Sequence, residues 1–386
     1  MSLQLRFSNL TFLFFLSTAI ASAAGCSSAS SQSPKGDGGS GDGGSGEDAD
    51  VDSGDLGGDA QSSPATCGDA GAPGQAQTLY SGPQIMSLTT GSSGVFWSET
   101  CGMCSGTTGT LWTQPLAGGS PTQLQFPVTA GGSASTPLSL VVDGSTLWFI
   151  NFDGLHSIGV DGSNPQIVAP GSALHVFQLT GVAVDADDVY GVAQDNGWDT
   201  LVVSVSKTTG AVTTLATVPH AAPAGGTGLV ADATHLYWPD HDDPSGTDGI
   251  FAVPKTGGSA ALLIAVSGAS HATIAAASGD GIYVVGGDET LRLVHTSLPT
   301  ATPVTVATFV TAPIVVAGDQ VYFVGTMGSA PSIQRACAGG GATVAALSSG
   351  DAIMLLASSS DQLVIAGTTG NGGASLPGGS LWSVMQ

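Results

Sequence analysis

The side chains best suited to chemistry are grouped in a few short stretches. Asp240, His241, Asp242 and Asp243 are consecutive, and Asp248 follows closely. Carboxylates with an imidazole form a ligand set for calcium, magnesium or a transition metal, so a divalent cation is the cofactor this segment would take. Asp240 also has a structural reading: it closes the run Leu236-Tyr-Trp-Pro-Asp at a position that Glu99 matches. His220 and His271 lie in successive connections between repeats, where two converging imidazoles would supply a general base. Cys101-Gly-Met-Cys104 has the spacing of a redox pair. No helix is in sight to depress a thiol pKa, so a local disulfide bracing a long loop is the favoured reading. There is no Gly-x-Ser-x-Gly elbow, no Walker loop and no His-Glu-x-x-His, so no short motif supports catalysis.

These segments hang on a repeat. From residue 75 onward, a run of small apolar residues leads through a Gly/Asp turn into a second, often aromatic, run. A variable loop, a third run, a Gly-rich turn and a fourth run complete the unit. The second runs begin at Val95, Leu147, Val189, Leu236, Ile282, Val321 and Leu363, with spacings of 52, 42, 47, 46, 39 and 42. A period of about 45 with four strands in each unit predicts an all-β fold, a seven-bladed β-propeller of four-stranded antiparallel blades. First runs such as LSLVVD (138–143) are small and apolar, as strands crowded around a central channel must be. Third runs such as LVVSVS (201–206) alternate, which predicts half-buried strands.

The seventh unit stops one strand short, while QAQTLYSG (75–82) resembles the fourth runs. The N-terminal strand is therefore expected to complete the last blade, closing the ring and hiding two open edges. Cys67 precedes that strand and Cys337 ends the third strand of blade 6, beside the closure. With Cys26 set aside, four cysteines remain, and Cys67–Cys337 would be a second disulfide pinning the N-terminal segment to the ring.

The repeats resemble the YWTD-type propeller repeat. They are closer to exported bacterial proteins with units of the form v-D-g-x-x-l-Y-W … g-x-i-x-x-v-p-x-x-G-G. Asp143 with Leu147-Trp-Phe, LYWPD (236–240), FAVPKTGGS (251–259) and PLAGGSPTQL (115–124) carry the likeness, which covers residues 85–386. The Tyr-Trp pair is lost in blades 3, 5 and 7. Such repeats imply the fold and leave the function open.

Residues 1–25 read as a signal peptide: Arg6 precedes the apolar stretch Leu10 to Ile20, which is too short to span a bilayer comfortably. Ala-Ser-Ala-Ala-Gly-Cys then resembles the bacterial lipobox, making Cys26 the expected site of lipidation, although Ala23 stands where Leu is usual. Ser27 after it resembles the outer-membrane form of the signal. Residues 26–74 are the lipid anchor and an acidic Gly/Ser/Asp linker, expected to be disordered because it has little apolar surface to bury. Asp48, Asp50 and Asp52 fall within this spacer without the glycine placement of an EF-hand loop.

The balance of 29 Asp and Glu against 6 Lys and Arg excludes a phosphate-binding surface, and with it nucleic acid. The chain is thus expected to be an exported monomer, tethered to the cell envelope at the outer membrane. It would act as a binding or scaffold propeller for an envelope protein or carbohydrate. The alternative is a metal-assisted lyase or hydrolase with its site at the channel mouth.

Overall fold

The computed structural model describes residues 76–385, apart from 101–108, 128–135, 152, 175–177, 196, 198, 220–221, 224–227, 242–248, 267–272, 277–280, 297–301, 318–319, 328–329, 338–339, 347–351, 360–361 and 369–378. Its strands form seven antiparallel sheets. Blade 1 comprises Ile85–Gly91, Gly94–Glu99, Thr110–Gln114 and Thr122–Leu124. Blades 2 (138–170), 3 (178–218), 5 (273–308) and 6 (310–346) repeat that order. In blade 4 the innermost strand is divided into Ala222–Pro223 and Val230–Ala231, both paired with His235–His241. Each second run found in the sequence is the second strand of its blade.

Blade 7 consists of Ala352–Ser358, Gln362–Thr368 and Gly379–Met385, completed by Gln77–Gly82. The last two pair antiparallel from Gln77 opposite Ser383 to Gly82 opposite Gly379. Innermost strands touch in the order of the blades, and that of blade 7 touches that of blade 1, so the ring closes. The closing strand also grips blade 1. The Tyr80 ring centroid lies 5.0 Å from that of Trp97, the Tyr80 hydroxyl bonds Glu99, and Gln114 Nε2 donates to the carbonyl of Leu79 at 3.3 Å.

The third strands match the expected alternation only in part. In Thr200–Ser206 and Gly249–Pro254 the later residues alternate, with Ser204, Ser206, Ala252 and Pro254 half-buried beside buried Val205 and Val253, while the earlier residues and nearly all of Gly154–Gly159 are buried throughout. Neighbouring blades pack against these strands, and Ser157 and Thr200 are buried with the apolar residues. The fourth strands are edges, and Gln166–Pro170 and Ala261–Ala265 are largely exposed. In the turns before them, paired glycines adopt positive φ, 90° and 131° at Gly118 and Gly119 and 86° and 141° at Gly257 and Gly258.

Candidate functional site

A row of aromatic pairs recurs in the blades that carry the sequence motif. Second and third strands place Trp97 opposite Trp112, Phe149 opposite His156, and Trp238 opposite Phe251. Each pair is stacked, with centroids 6.5, 5.1 and 6.1 Å apart. Two residues after the first aromatic, on the same side of the strand, comes a polar group that the period of two brings within reach. Trp97 Nε1 donates to Glu99 Oε1 at 3.0 Å, and Trp238 Nε1 to Asp240 Oδ2 at 3.1 Å. Glu99 and Asp240 are buried, so these carboxylates serve the indoles of the core.

Blade 2 replaces the acid with Asn151 and the second aromatic with His156. Asn151 Oδ1 accepts from the backbone of Asp153 at 2.8 Å and of Gly154 at 3.2 Å, and it contacts His156 Nε2 at 2.9 Å. An amide carbonyl oxygen carries no hydrogen and can only accept, so His156 carries its proton on Nε2. Burial pushes the imidazole pKa down to about 4, against a smaller opposing pull from Asp153. The ring is fully buried, and Nδ1 has no partner among the described residues. His156 is a neutral member of the aromatic row, and nothing places it where a substrate could reach.

A second device joins neighbouring blades. Asp185, in the turn after the first strand of blade 3, accepts from Tyr190 Oη at 2.7 Å and from the backbone of Asp187 and Asp188. Lys255 of blade 4 reaches back to Asp185 Oδ2 at 2.8 Å, its ammonium 5.1 Å from the Tyr190 ring centroid. Burial alone would raise the Asp185 carboxyl. The bonds from Lys255, Tyr190 and the backbone outweigh it and hold the group well below the ordinary carboxylate range. Lys207 of blade 3 repeats the clasp onto Asp143 of blade 2, over Trp148 at 5.6 Å. Asp232 takes the same place in blade 4, bonded by Tyr237 Oη at 2.6 Å. The sequence shows these aspartates as turn formers. It did not show the lysines' role, although SVSK and AVPK end equivalent third strands.

The central channel has a cavity of about 300 Å³ to which all seven blades contribute. Its described wall is uncharged, with Ser87, Ser139 and Thr273 among Gly181, Pro313 and Met354. Side-chain bonds tie the innermost strands together there: Leu140 N donates to Ser87 Oγ at 3.0 Å, and Ser358 Oγ to the carbonyl of Val316 at 3.1 Å. Such a wall can hold water or a small neutral ligand and offers no acid–base group.

Most candidates from the sequence fall beyond the described residues: Cys26, Cys67, Cys101, Cys104, His220, Asp242, Asp243, Asp248 and His271. His241 and Cys337 are the terminal residues of strands in blades 4 and 6, and their side chains are likewise outside the description. Asp195, in a loop between second and third strands, accepts from the backbone of Gly197 and Asp199 at 2.7 and 2.9 Å, an Asx turn. Among the described residues no group of three His, Cys, Asp or Glu side chains is placed to hold a metal.

No protein-family model matches this chain, and no curated protein does. Solved structures do. The Pyrococcus horikoshii acylaminoacyl peptidase aligns with 81% of this chain and 54% of its own at 12% identity, with a TM-score of 0.55. An oligogalacturonate lyase in complex with manganese aligns with 82% of this chain and 97% of its own at 10% identity, with a TM-score of 0.53. A prolyl endopeptidase aligns at 15% identity, covering 80% of this chain and 51% of its own, with a TM-score of 0.52. This chain spans about half the length of either peptidase. At these identities the likeness shows the β-propeller fold alone.

Proposed function

We propose that this protein is a binding or scaffold propeller tethered to the cell envelope through a lipid on Cys26, with the 26–74 segment as its spacer. The observation that carries the binding reading is the fate of the charged groups. Glu99 and Asp240 hold indoles, Asp185, Asp232 and Asp143 hold turns and blade contacts, and the channel wall is uncharged. These five acids are thus committed to the fold rather than to a metal-assisted lyase or hydrolase site. The tether is supported by the apolar stretch and the lipobox-like residues before Cys26, and the outer membrane by Ser27. The ligand class this reading favours is an envelope protein or a carbohydrate.

The full chain, expressed with its own N-terminus, is expected to partition with membranes, and Cys26→Ser to release it without altering its melting temperature. Equal partition of both forms into the soluble fraction contradicts the tether. Replacing His220 and His271 together by Ala is expected to leave ligand capture and stability unchanged.

A further inference from the structure

Blade 2 departs from its neighbours at the aromatic that follows the turn aspartate. In blades 3 and 4 that residue is Tyr190 or Tyr237, whose hydroxyl donates to Asp185 or Asp232. In blade 2 it is Trp148, whose buried Nε1 finds no acceptor among the described residues. Cross-strand register sets Trp148 opposite Ser157, and Ser157 opposite Gln166, so an indole, a hydroxyl and an amide line one face across three strands. Beside this row lies a groove of about 440 Å³, bounded further by Asp161, Asn164 and, from blade 3, Lys207. Trp148 and Ser157 are buried, whereas Asp161, Asn164 and Gln166 are exposed, giving a closed floor and an open polar rim.

We propose that this groove between blades 2 and 3 is a binding site for a neutral, polyhydroxylated ligand, a saccharide unit. This deepens the binding reading above and rests on it. Its volume falls within the range of small-molecule sites, about 300 to 1,000 Å³. The groove supplies groups that both donate and accept, Ser157 on its floor and Asn164 and Gln166 on its rim, which is what vicinal hydroxyls require. An anion is disfavoured because Lys207 is already bonded to Asp143 and to the carbonyl of Asp185, and Asp161 adds a negative charge. An apolar ligand would leave the hydroxyls and amides unpaired.

The test uses the full chain and four probes, glucose, galactose, mannose and N-acetylglucosamine, titrated singly and followed by saturation-transfer NMR. At least one is expected to bind saturably, with affinity falling about five- to tenfold in Gln166→Ala and in Ser157→Val, the loss of one neutral hydrogen bond. No saturable binding by any of the four, or binding unaltered in both Gln166→Ala and Ser157→Val, overturns the site. Envelope capture by the Cys26-anchored chain under those same outcomes would leave the tethered-binder reading intact while this site falls.

Discussion

His156 Nε2 lies 2.9 Å from Asn151 Oδ1 inside blade 2, in a ring stacked 5.1 Å from Phe149. A histidine here does the work of the Trp112 and Phe251 rings in blades 1 and 4, and only its neutral form fits. In the unfolded chain it titrates near its ordinary value of 6.5, whereas in the fold it does so at about 4. The folded state therefore binds fewer protons between those values, and acidification must destabilise it.

Stability is expected to fall by about 3 kcal/mol as pH drops from above 6.5 to below 4, and then to stop changing on this account. Urea titrations at stepped pH would show it. His156→Gln is expected to lower stability at neutral pH and to remove that slope. A variant that retained the slope would assign it to other groups.

The blade clasp makes a separate prediction. Lys255→Met is expected to cost about 1 kcal/mol, a charge-assisted bond discounted for partial exposure. A double-mutant cycle with Asp185→Asn should show coupling, because the two residues share one bond. Asp185 is depressed in the fold, so its contribution is present above the ordinary carboxylate value and is lost as pH falls below about 3.9. That window lies below most of the His156 window, so the two effects separate on the pH axis.

Asp240 distinguishes a structural carboxylate from a metal ligand. Asp240→Ala strands the buried Trp238 N–H and is expected to cost about 2 to 4 kcal/mol, whereas Asp240→Asn keeps an acceptor and should cost less. Denaturant midpoints in a chelator would measure both. Equal costs for the two would mean the indole bond is not what Asp240 supplies.

Ring closure is the most global feature. Deleting residues 377–386 removes the strand Gly379–Met385, the partner of Gln77–Gly82. Loss of cooperative folding across all blades is expected, read as a collapsed thermal transition and rapid proteolysis. Blade 1 would also lose the Tyr80 contacts to Trp97 and Glu99. A truncated chain that melts like the intact one contradicts closure as the source of stability.

The architecture was legible because each blade writes its own period: seven second runs, glycine turns and an orphan strand that matched the fourth runs. The alternation read in LVVSVS holds at Ser204 and Ser206, half-buried beside buried Val203 and Val205, whereas the burial of Ser157 in the third strand of blade 2 depends on the packing of neighbouring blades and is not written in its sequence. The sequence offered Asp240 both as a metal ligand and as a structural acid matched by Glu99, and the bonds to Trp238 and Trp97 that make both acids structural appear only in the fold. The lysine clasps and the groove were not seen, because both arise between blades, where residues such as Lys207 and Asp143 are far apart in sequence and adjacent only after folding.

The central claim, a binder whose acids serve its fold, is tested most directly by the melting temperature of the full chain. It would be measured first in a chelator, then with calcium, magnesium and zinc in turn. The account predicts one value, within about 1 °C, under all four conditions, since an ion that does not bind the native state cannot stabilise it. A rise of several degrees with one ion, abolished by His241→Ala together with Asp242→Ala, would contradict it and make that loop a metal centre.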